Sequence, residues 1–401
     1  MIRKNANLIL ALSVVATGAC SNESGPSVTA QAPTNSAAES LAAHLPAGLE
    51  ILESRQVFEP QVTFLEDSTL VLTWRERGET GSNIYSSVRA PGNNFGSPVR
   101  VNDEADTVES YAHDGMRAAI AVGSGQTIAI AWTDSRAQIR AAISTNGGAG
   151  FNPSIRLDQS QEPAYRAYPA ISFDSSGDLH AIWIDSRFAA GGAEEPADLY
   201  YAKVSAGDVT EKNLTAEQAP SICGCCRTFI RAEDDLLTMT FRNTTADDYR
   251  DPATISGTVD GVFSYPQAVG GPLWELRGCP MAGPILAGDE VLWHDGSTGK
   301  KLIMVSSVSE LQARPVFDVE ERGDWIGRRP PRPVTTIGGK NSVLLLPGQP
   351  ASRLIARSDA VWGTVADDLP PWAMSGAYDN GQMYLVGAPG GEFRFVSYQL
   401  P

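Results

Sequence analysis

The chain has 401 residues, of which 42% are hydrophobic, and it contains 38 glycines and 26 prolines. A chain of this length can bury a large core, and its turn-rich composition without a long helical pattern favours strands joined by short loops. The formal net charge of −16 repels phosphate backbones, so the composition argues against nucleic acid as a partner.

The first residues have the pattern of an export signal. Arg3 and Lys4 precede an apolar run that is too short to span a membrane, and small residues stand before Cys20. This end resembles the lipobox of bacterial lipoproteins, in which the cysteine becomes the lipid-modified first residue. The resemblance implies a signal peptide over residues 1–19, lipidation of Cys20 and a location in the bacterial cell envelope, at the outer membrane. An ordinary secretory signal with an incidental cysteine is the alternative.

A composition change separates a tether from a folded domain. Residues 20–45 are rich in Ser, Ala, Pro and Thr, which predicts a flexible linker that contacts the membrane only through its lipid. Residues 46–401 are predicted to form one domain.

A hydrophobic strand that ends at an aromatic residue and then turns through polar residues recurs along this domain. The clearest copies are IAIAWTDSR, which ends at Arg136, and LHAIWIDSR, which ends at Arg187. The recurring aromatic residues are Trp74, Trp132, Trp183, Phe241 and Trp293, at intervals of 58, 51, 58 and 52 residues. A strand repeat of this length predicts an all-β fold, the β-propeller.

The repeats predict seven blades of four strands each. The first strands are predicted at Val62, Ala118, Ala170, Phe229, Pro284, Val334 and Gly376. Six blades are the alternative, because the last two units are short and lack the Trp. The segment 47–57, AGLEILESRQV, is predicted to be the outer strand that completes the last blade and removes its open edge.

One hairpin carries a family resemblance. The stretch STNGGAGF, from Ser144 to Phe151, resembles the Asp-box of sialidases and other bacterial-neuraminidase-repeat propellers, with Asn146 in place of the Asp. Its glycines and side-chain oxygens suit a tight turn, and its aromatic residue suits packing between sheets, so its expected role is structural. The resemblance implies a sialidase-like propeller.

Polar residues gather on one predicted end of the propeller, where loops on a rigid scaffold commonly form binding sites. Four arginines stand before first strands: Arg117, Arg166, Arg227 and Arg329. Sialidases hold the carboxylate of sialic acid with three arginines, so the resemblance implies an anionic glycan or small molecule as ligand. Asp134, Asp185 and Trp372 complete the predicted ligand-binding set. The alternative is that each arginine pairs with a local carboxylate, since repeated Asp-x-Arg turns indicate structural work.

Four cysteines form the most specific pattern of the chain. Cys223, Cys225 and Cys226 precede one blade, and Cys279 precedes the next. Disulfides are one interpretation, with a single bridge from Cys223 or Cys226 to Cys279 as the simplest geometry. A thiolate site for copper(I) or zinc is the other. The sequence leaves both open.

The predicted function is ligand binding by an exported, lipid-anchored propeller, with an anionic glycan or small molecule, or a soft metal, as the ligand. An exo-sialidase is the alternative, but the chain lacks the family's early arginine segment, and Asp114 is only a weak candidate for its acid. A scaffold that binds a periplasmic protein is the third possibility.

Overall fold

Seven four-stranded sheets follow one another along the chain and form the blades of a β-propeller, which confirms the predicted fold class and the larger blade number. The computed structural model describes residues 45–109, 118–189, 196–216, 222–245, 247–271, 273–277, 282–318, 332–336, 343–347, 351–358 and 361–400. All of these residues belong to one compact unit, Ala32–Pro401.

The first three blades each consist of four consecutive strands. Blade 1 contains β1 (Val57–Phe64), β2 (Leu70–Arg77), β3 (Ser82–Arg89) and β4 (Val99–Arg100). Blade 2 contains β5 (Ala119–Val122), β6 (Ile128–Thr133), β7 (Ile139–Ser144) and β8 (Ile155–Arg156). Blade 3 contains β9 (Arg166–Phe173), β10 (Leu179–Asp185), β11 (Asp198–Ser205) and β12 (Asp208–Asn213).

The next two blades repeat this antiparallel order. Blade 4 contains β13 (Phe229–Glu233), β14 (Leu236–Arg242), β15 (Pro252–Thr258) and β16 (Gln267–Ala268). Blade 5 contains β17 (Ile285–Ala287), β18 (Glu290–Asp295), β19 (Leu302–Ser307) and β20 (Arg314–Asp318).

The last two blades share one connecting segment. Blade 6 contains β21 (Arg332–Pro333), β23 (Val343–Leu346), β24 (Ser352–Ser358) and β25 (Val361–Leu369). Blade 7 contains β22 (Thr335–Thr336), β26 (Ser375–Asp379), β27 (Gln382–Gly387) and β28 (Arg394–Gln399). Strand β22 directly follows β21 but pairs in parallel with β26, so this segment joins the two blades.

The segment before the first blade corrects one prediction. Residues Glu50–Ser54 form a 3-10 helix, and the outermost strand of blade 7 is its own β28. Leu49 and Leu52 are buried together with Val386 and Phe393 of blade 7. Within the described residues, this segment therefore packs against blade 7 through apolar side chains and adds no strand to it.

The core lies between neighbouring blades. The repeated aromatic residues are all buried in second strands: Trp74, Trp132, Trp183, Phe241 and Trp293. Every residue of β6, β10 and β18 is buried, as expected for strands covered on both faces by adjacent sheets. Burial on both faces explains why these strands read as nearly continuous apolar runs.

The hairpin that resembles an Asp-box is a tight turn between β7 and β8. The backbone N–H of Gly148 donates to Ser144 Oγ at 2.8 Å, and that of Gly147 donates to the Gln126 carbonyl at 2.8 Å. Both glycines have positive φ, 71° at Gly147 and 88° at Gly148, where a side chain would be strained. Phe151 packs against the core between blades 1 and 2. These contacts give the turn a structural role.

Among the residues that the structure describes, no helix has both the length and the apolar character that crossing a bilayer requires. Cys20 and the predicted signal peptide lie outside the described residues.

Candidate thiol site

The loop that leads from blade 3 into blade 4 carries three cysteines and is fastened to both blades. The backbone N–H of Cys223 donates to the Arg242 carbonyl at the end of β14, at 2.8 Å. Thr228 Oγ1 donates to the Tyr168 carbonyl in β9, at 2.9 Å. Between these points the N–H of Cys226 donates to the Cys223 carbonyl at 3.4 Å, which closes a turn. The turn holds the cysteine side chains against one another.

We refer to Cys223, Cys225 and Cys226 as the thiol cluster. Their sulfur atoms all lie within 4.8 Å of one another. Cys223 Sγ lies 3.0 Å from Cys226 Sγ and 3.5 Å from Cys225 Sγ. Cys223 and Cys226 are buried free thiols, each 1% exposed. Cys225 is half-buried and disulfide-bonded. The cluster therefore combines two reduced sulfurs and one oxidised sulfur.

This arrangement corrects the predicted sulfur chemistry. The simplest predicted bridge used Cys223 or Cys226, but both are reduced, and Cys225 forms a disulfide instead. A disulfide sulfur carries no thiolate charge, so Cys225 cannot serve as a thiolate ligand in this state. Cys279, the fourth member of the predicted metal set, lies outside the described residues. Among the residues that the structure describes, Cys223 and Cys226 remain as candidate thiolate ligands.

The two free thiols differ in their electrostatics. The hydrogen bond between the Cys226 and Cys223 thiols lowers the pKa of Cys223 against the opposing effect of burial, and the Cys225 backbone and the charges of Arg250 and Arg242 lower it further. Burial, followed by the hydrogen bond to Cys223, raises the pKa of Cys226. Cys223 is thus the more acidic of the two thiols.

Two buried arginines supply the positive charge. Arg250 Nη1 donates to Cys223 Sγ at 3.2 Å, and its Nε donates to the Leu276 carbonyl at 3.2 Å. Arg242 is 1% exposed and donates through Nη2 to the carbonyls of Ala282 and His294, both at 3.1 Å. Its Nη1 donates to the Arg250 carbonyl. Main-chain oxygens therefore hold the Arg242 guanidinium in place beside the sulfurs.

His294 lies next to this positive charge, in β18 of blade 5. Burial and the charge of Arg242 lower the pKa of His294 to about 3. The imidazole is therefore neutral at physiological pH.

Arg166, a predicted ligand-binding residue, contacts two carboxylates within the scaffold. Its side chain is 2% exposed, and its Nε lies 2.9 Å from Asp185 and 3.5 Å from Asp158. The remaining nitrogens donate to the carbonyls of Ala137 and Glu162. All of these partners belong to blades 2 and 3 or to the segment between them, so Arg166 joins two blades.

The repeated aspartates also perform structural work. Asp185 accepts hydrogen bonds from Trp183 Nε1 at 3.2 Å and from the backbone and Nη2 of Arg187 at 2.9 and 2.6 Å. Asp134 accepts from the backbone N–H groups of Arg136 and Gln138, each at 2.9 Å. The geometry thus favours the alternative that these Asp-x-Arg turns stabilise their blades.

The remaining predicted site residues are scattered or fall outside the described ranges. Arg227 directly follows the thiol cluster and is half-buried. Trp372 packs against the core between blades 6 and 7. The residues outside the described ranges are Asp114, Arg117 and Arg329. Of the four predicted anion-binding arginines, the structure describes Arg166 and Arg227.

A small, open pocket between blades 1 and 2 offers a second candidate position. Its polar and aromatic lining includes Glu59, Gln61, Trp74, Arg75, Glu109 and Trp132. Glu59 accepts from Arg75 Nε at 3.2 Å. Two carboxylates against one guanidinium make this lining a poor match for an anion.

Sequence reasoning missed Arg250 as a site residue. It lies in an irregular stretch between β14 and β15, without repeat or motif. The available signal was its position: the turn between the second and third strands of a blade lies on the same face as the loop before the first strand. Arg250 lies in such a turn, between β14 and β15.

Comparison with solved structures supports the fold. Puromycin hydrolase is similar over 89% of this chain and 54% of its own, with a TM-score of 0.57 and 13% identity. An ulvan lyase bound to a -[GlcA(1-4)Rha3S]- fragment is similar over 86% of this chain and 94% of its own, with a TM-score of 0.53 and 11% identity. The chain spans about half the length of puromycin hydrolase, and identities this low show the fold alone.

The sialidase from Trypanosoma rangeli also shares the propeller arrangement, over 86% of this chain and 54% of its own, with a TM-score of 0.45 and 11% identity. That similarity carries no argument about activity. No protein-family model and no curated protein sequence matches this chain. Together, the blades and these comparisons define the protein as a seven-bladed β-propeller.

Proposed function

We propose that this protein is an exported, lipid-anchored β-propeller of the bacterial cell envelope that binds copper(I) through Cys223 and Cys226. The observation that carries the proposal is a pair of buried, reduced sulfurs 3.0 Å apart, beside two buried guanidinium groups. Thiolates are the ligands that copper(I) prefers.

The local charge favours a monovalent ion. Two thiolates and one copper(I) ion form a complex with a net charge of −1, and burying an anion requires nearby positive charge. Arg250 and Arg242 supply that charge at the cluster. Zinc usually takes four ligands in structural sites, whereas the thiol cluster offers two reduced sulfurs among the described residues.

The short distance between the sulfurs indicates where the metal would sit. The two thiols now share a hydrogen bond between Cys223 Sγ and Cys226 Sγ at 3.0 Å. With metal–sulfur bonds of about 2.3 Å, an ion bound in a straight line between the two sulfurs would hold them about 4.6 Å apart. Copper would therefore replace the shared proton and move the cysteine side chains apart.

The other predicted functions have weaker support. Arg166 is occupied by two carboxylates, so an anionic glycan or small molecule loses one expected partner. The exo-sialidase alternative depends on Asp114, and a protein-binding scaffold depends on the loop face; both stay predictions from the sequence.

The test is anaerobic titration of the full chain in detergent with copper(I), in competition with a bathocuproine chelator. We expect one tightly bound ion per chain, and at least a hundredfold weaker binding in Cys223→Ser and in Cys226→Ser. Cys225→Ser is the matched control, because it removes a cluster sulfur and keeps both proposed ligands. Equal affinity of the wild type and the double variant Cys223→Ser/Cys226→Ser would reject copper binding at this pair.

A further inference from the structure

The indole N–H groups of the second-strand tryptophans have different surroundings in blades 1, 2 and 3. In blade 1, Trp74 Nε1 donates to Glu76 Oε1 at 2.7 Å. In blade 3, Trp183 Nε1 donates to Asp185 Oδ2 at 3.2 Å. Trp132 of blade 2 is 3% exposed, and no described residue accepts a hydrogen bond from its Nε1. A buried donor without a partner destabilises the folded chain, and a bound molecule that accepts its hydrogen bond would remove this cost.

Trp132 lines the small pocket between blades 1 and 2, together with Glu59, Gln61 and Arg75. Glu59 lies near the start of β1, and Arg75 and Trp132 lie near the ends of β2 and β6. The pocket is therefore at the end of the propeller that carries the loops before the first strands. Gln61 Nε2 donates to the Ala118 carbonyl at 2.7 Å, which ties blade 1 to the beginning of blade 2 beside the pocket.

The backbone places Glu59 at this pocket in a strained conformation. Its φ is 51°, in the left-handed region that residues with side chains seldom adopt. The register of β1 against β2 shifts between Phe58 and Gln61, which marks a β-bulge around Glu59. Bulges redirect side chains and are common beside binding sites. The Glu59 side chain is thus both buried and turned to the pocket that it lines.

The charges at the pocket favour a neutral ligand. Arg75 donates from Nε to Glu59 Oε2 at 3.2 Å and from Nη1 to Ser82 Oγ at 2.9 Å, so its charge is paired within the scaffold. A cation could bind the Glu59 carboxylate but has no atom that accepts from the Trp132 N–H, and Glu59 would repel an anion. A hydroxyl group both donates and accepts, so hydroxyls can satisfy the indole N–H and the carboxylate together.

We propose that this pocket binds a neutral sugar residue through two neighbouring hydroxyl groups, one that accepts from Trp132 Nε1 and one that donates to Glu59. Because the pocket is small, it takes the edge of one sugar ring, and the rest of a glycan chain would remain outside. The ligand differs in charge and in its contact residues from the anionic glycan that the sequence predicts. The site uses none of the cysteines, so it does not depend on copper binding.

The experiment follows the indole N–H groups directly. Full-length protein in detergent, with nitrogen-15 in its tryptophans, is titrated with the methyl glycosides of glucose, galactose, mannose and xylose, and two-dimensional NMR records the indole signals. Trp132→Phe assigns the Trp132 signal by its disappearance. We expect at least one glycoside to move this signal downfield in a saturable way, because its N–H gains a hydrogen bond. The Trp183 signal should move little, since its N–H already has a partner.

Two variants separate the proposed contacts from general effects. Trp132→Phe keeps an aromatic ring but removes the donor, and Glu59→Gln keeps the shape of the side chain but removes its charge. Each weakens one hydrogen bond to the sugar, so we expect about tenfold weaker binding in ligand-observed NMR titrations. Glu104→Gln is the matched control, because it changes an exposed carboxylate that pairs with Arg136. It should bind the glycosides as the wild type does.

The proposal is overturned if no glycoside moves the Trp132 signal, or if ammonium, free lysine or N-acetylneuraminic acid moves it as strongly. Equal sugar binding by the wild type and Trp132→Phe would also reject it. Circular dichroism checks folding, and Glu59→Gln alone decides the binding test if Trp132→Phe does not fold. The double variant Cys223→Ser/Cys226→Ser should bind the glycosides unchanged, so failure of the copper proposal and failure of this one are distinguishable.

Discussion

Blade 3 and the beginning of blade 4 use arginine in opposite ways. In blade 3, Arg166 lies against the carboxylates of Asp185 and Asp158, so its charge is balanced inside the scaffold. At blade 4, Arg242 donates to carbonyl oxygens, and Arg250 donates to a cysteine sulfur. A carboxylate cancels a buried positive charge, whereas a carbonyl only solvates it. The guanidinium groups at blade 4 are therefore held by main-chain oxygens and lie beside the sulfur of Cys223.

The residues that follow the second-strand aromatic residue are alike in several blades but differ in blade 4. The aspartate that follows a second-strand aromatic residue recurs in blades 2, 3 and 5, as Asp134, Asp185 and Asp295, and each accepts backbone hydrogen bonds at its turn. At the same place, blade 4 has Arg242 and Asn243. Blade 4, which lacks this aspartate, carries the thiol cluster.

The largest expected effect comes from removing the charge of Asp185 in blade 3. Asp185→Asn keeps the shape of the side chain but removes the charge that faces Arg166 and Arg187. Because both arginines would lose a buried partner, we expect the free energy of unfolding to fall by about 3 to 4 kcal/mol. Urea denaturation followed by tryptophan fluorescence measures the change.

Asp134→Ala is the comparison for that measurement. Asp134 accepts only turn hydrogen bonds among its described contacts, so its loss should cost about 1 kcal/mol. Equal destabilisation by the two variants would show that the Asp185 ion pairs add nothing to the turn.

The sequence predicted the scaffold well because the repeated features are dense and local. Buried aromatic residues every 51 to 58 positions located the second strands, and all five are buried in the structure. The segment 47–57 was misassigned because a short stretch with Leu49 and Leu52 fits either a strand or one turn of helix. The apolar contact with blade 7 decided between them, and no local pattern encodes that contact.

The candidate site was less predictable for the same reason. Their spacing in the sequence placed Cys223, Cys225 and Cys226 on one loop. Their oxidation states depend on distances between sulfur atoms, which sequence spacing does not determine. The burial of Arg166 was also hidden, since its two carboxylate partners lie 8 and 19 residues away along the chain. A residue whose partners come from several segments needs the fold before its role can be read.

The pH dependence of stability compares two buried histidines, one beside a carboxylate and one beside Arg242. His180 of blade 3 lies 3.1 Å from Asp174, which opposes the effect of burial on its pKa. His294 lies beside Arg242 instead, and its pKa is lowered to about 3. An unfolded histidine takes up a proton near pH 6.5, but folded His294 stays neutral, so its contribution to stability is present above that pH and lost as the pH falls towards 3.

We expect His294→Gln to make the protein less sensitive to acid. Between pH 7 and pH 4.5 the wild type should lose about 2 to 3 kcal/mol more free energy of unfolding than this variant. His180→Gln is the matched control and should change the loss by less, because Asp174 favours protonation of the folded state. Parallel stability curves for the wild type and His294→Gln would show that Arg242 does not hold this histidine neutral.

The smallest expected effect concerns the sulfur that Arg250 contacts. Arg250→Met preserves much of the side-chain length but removes the donor 3.2 Å from Cys223 Sγ and its charge. Because both stabilise the thiolate, we expect the pKa of Cys223 to rise by about one unit, towards the ordinary cysteine value of roughly 8.5. The ultraviolet absorbance of the thiolate, followed against pH, measures this shift even for a buried sulfur. Arg136→Met, which removes an exposed arginine of blade 2, should leave the titration unchanged. If Arg250→Met also leaves it unchanged, the positive charge at blade 4 is balanced elsewhere, and the contrast with blade 3 does not hold.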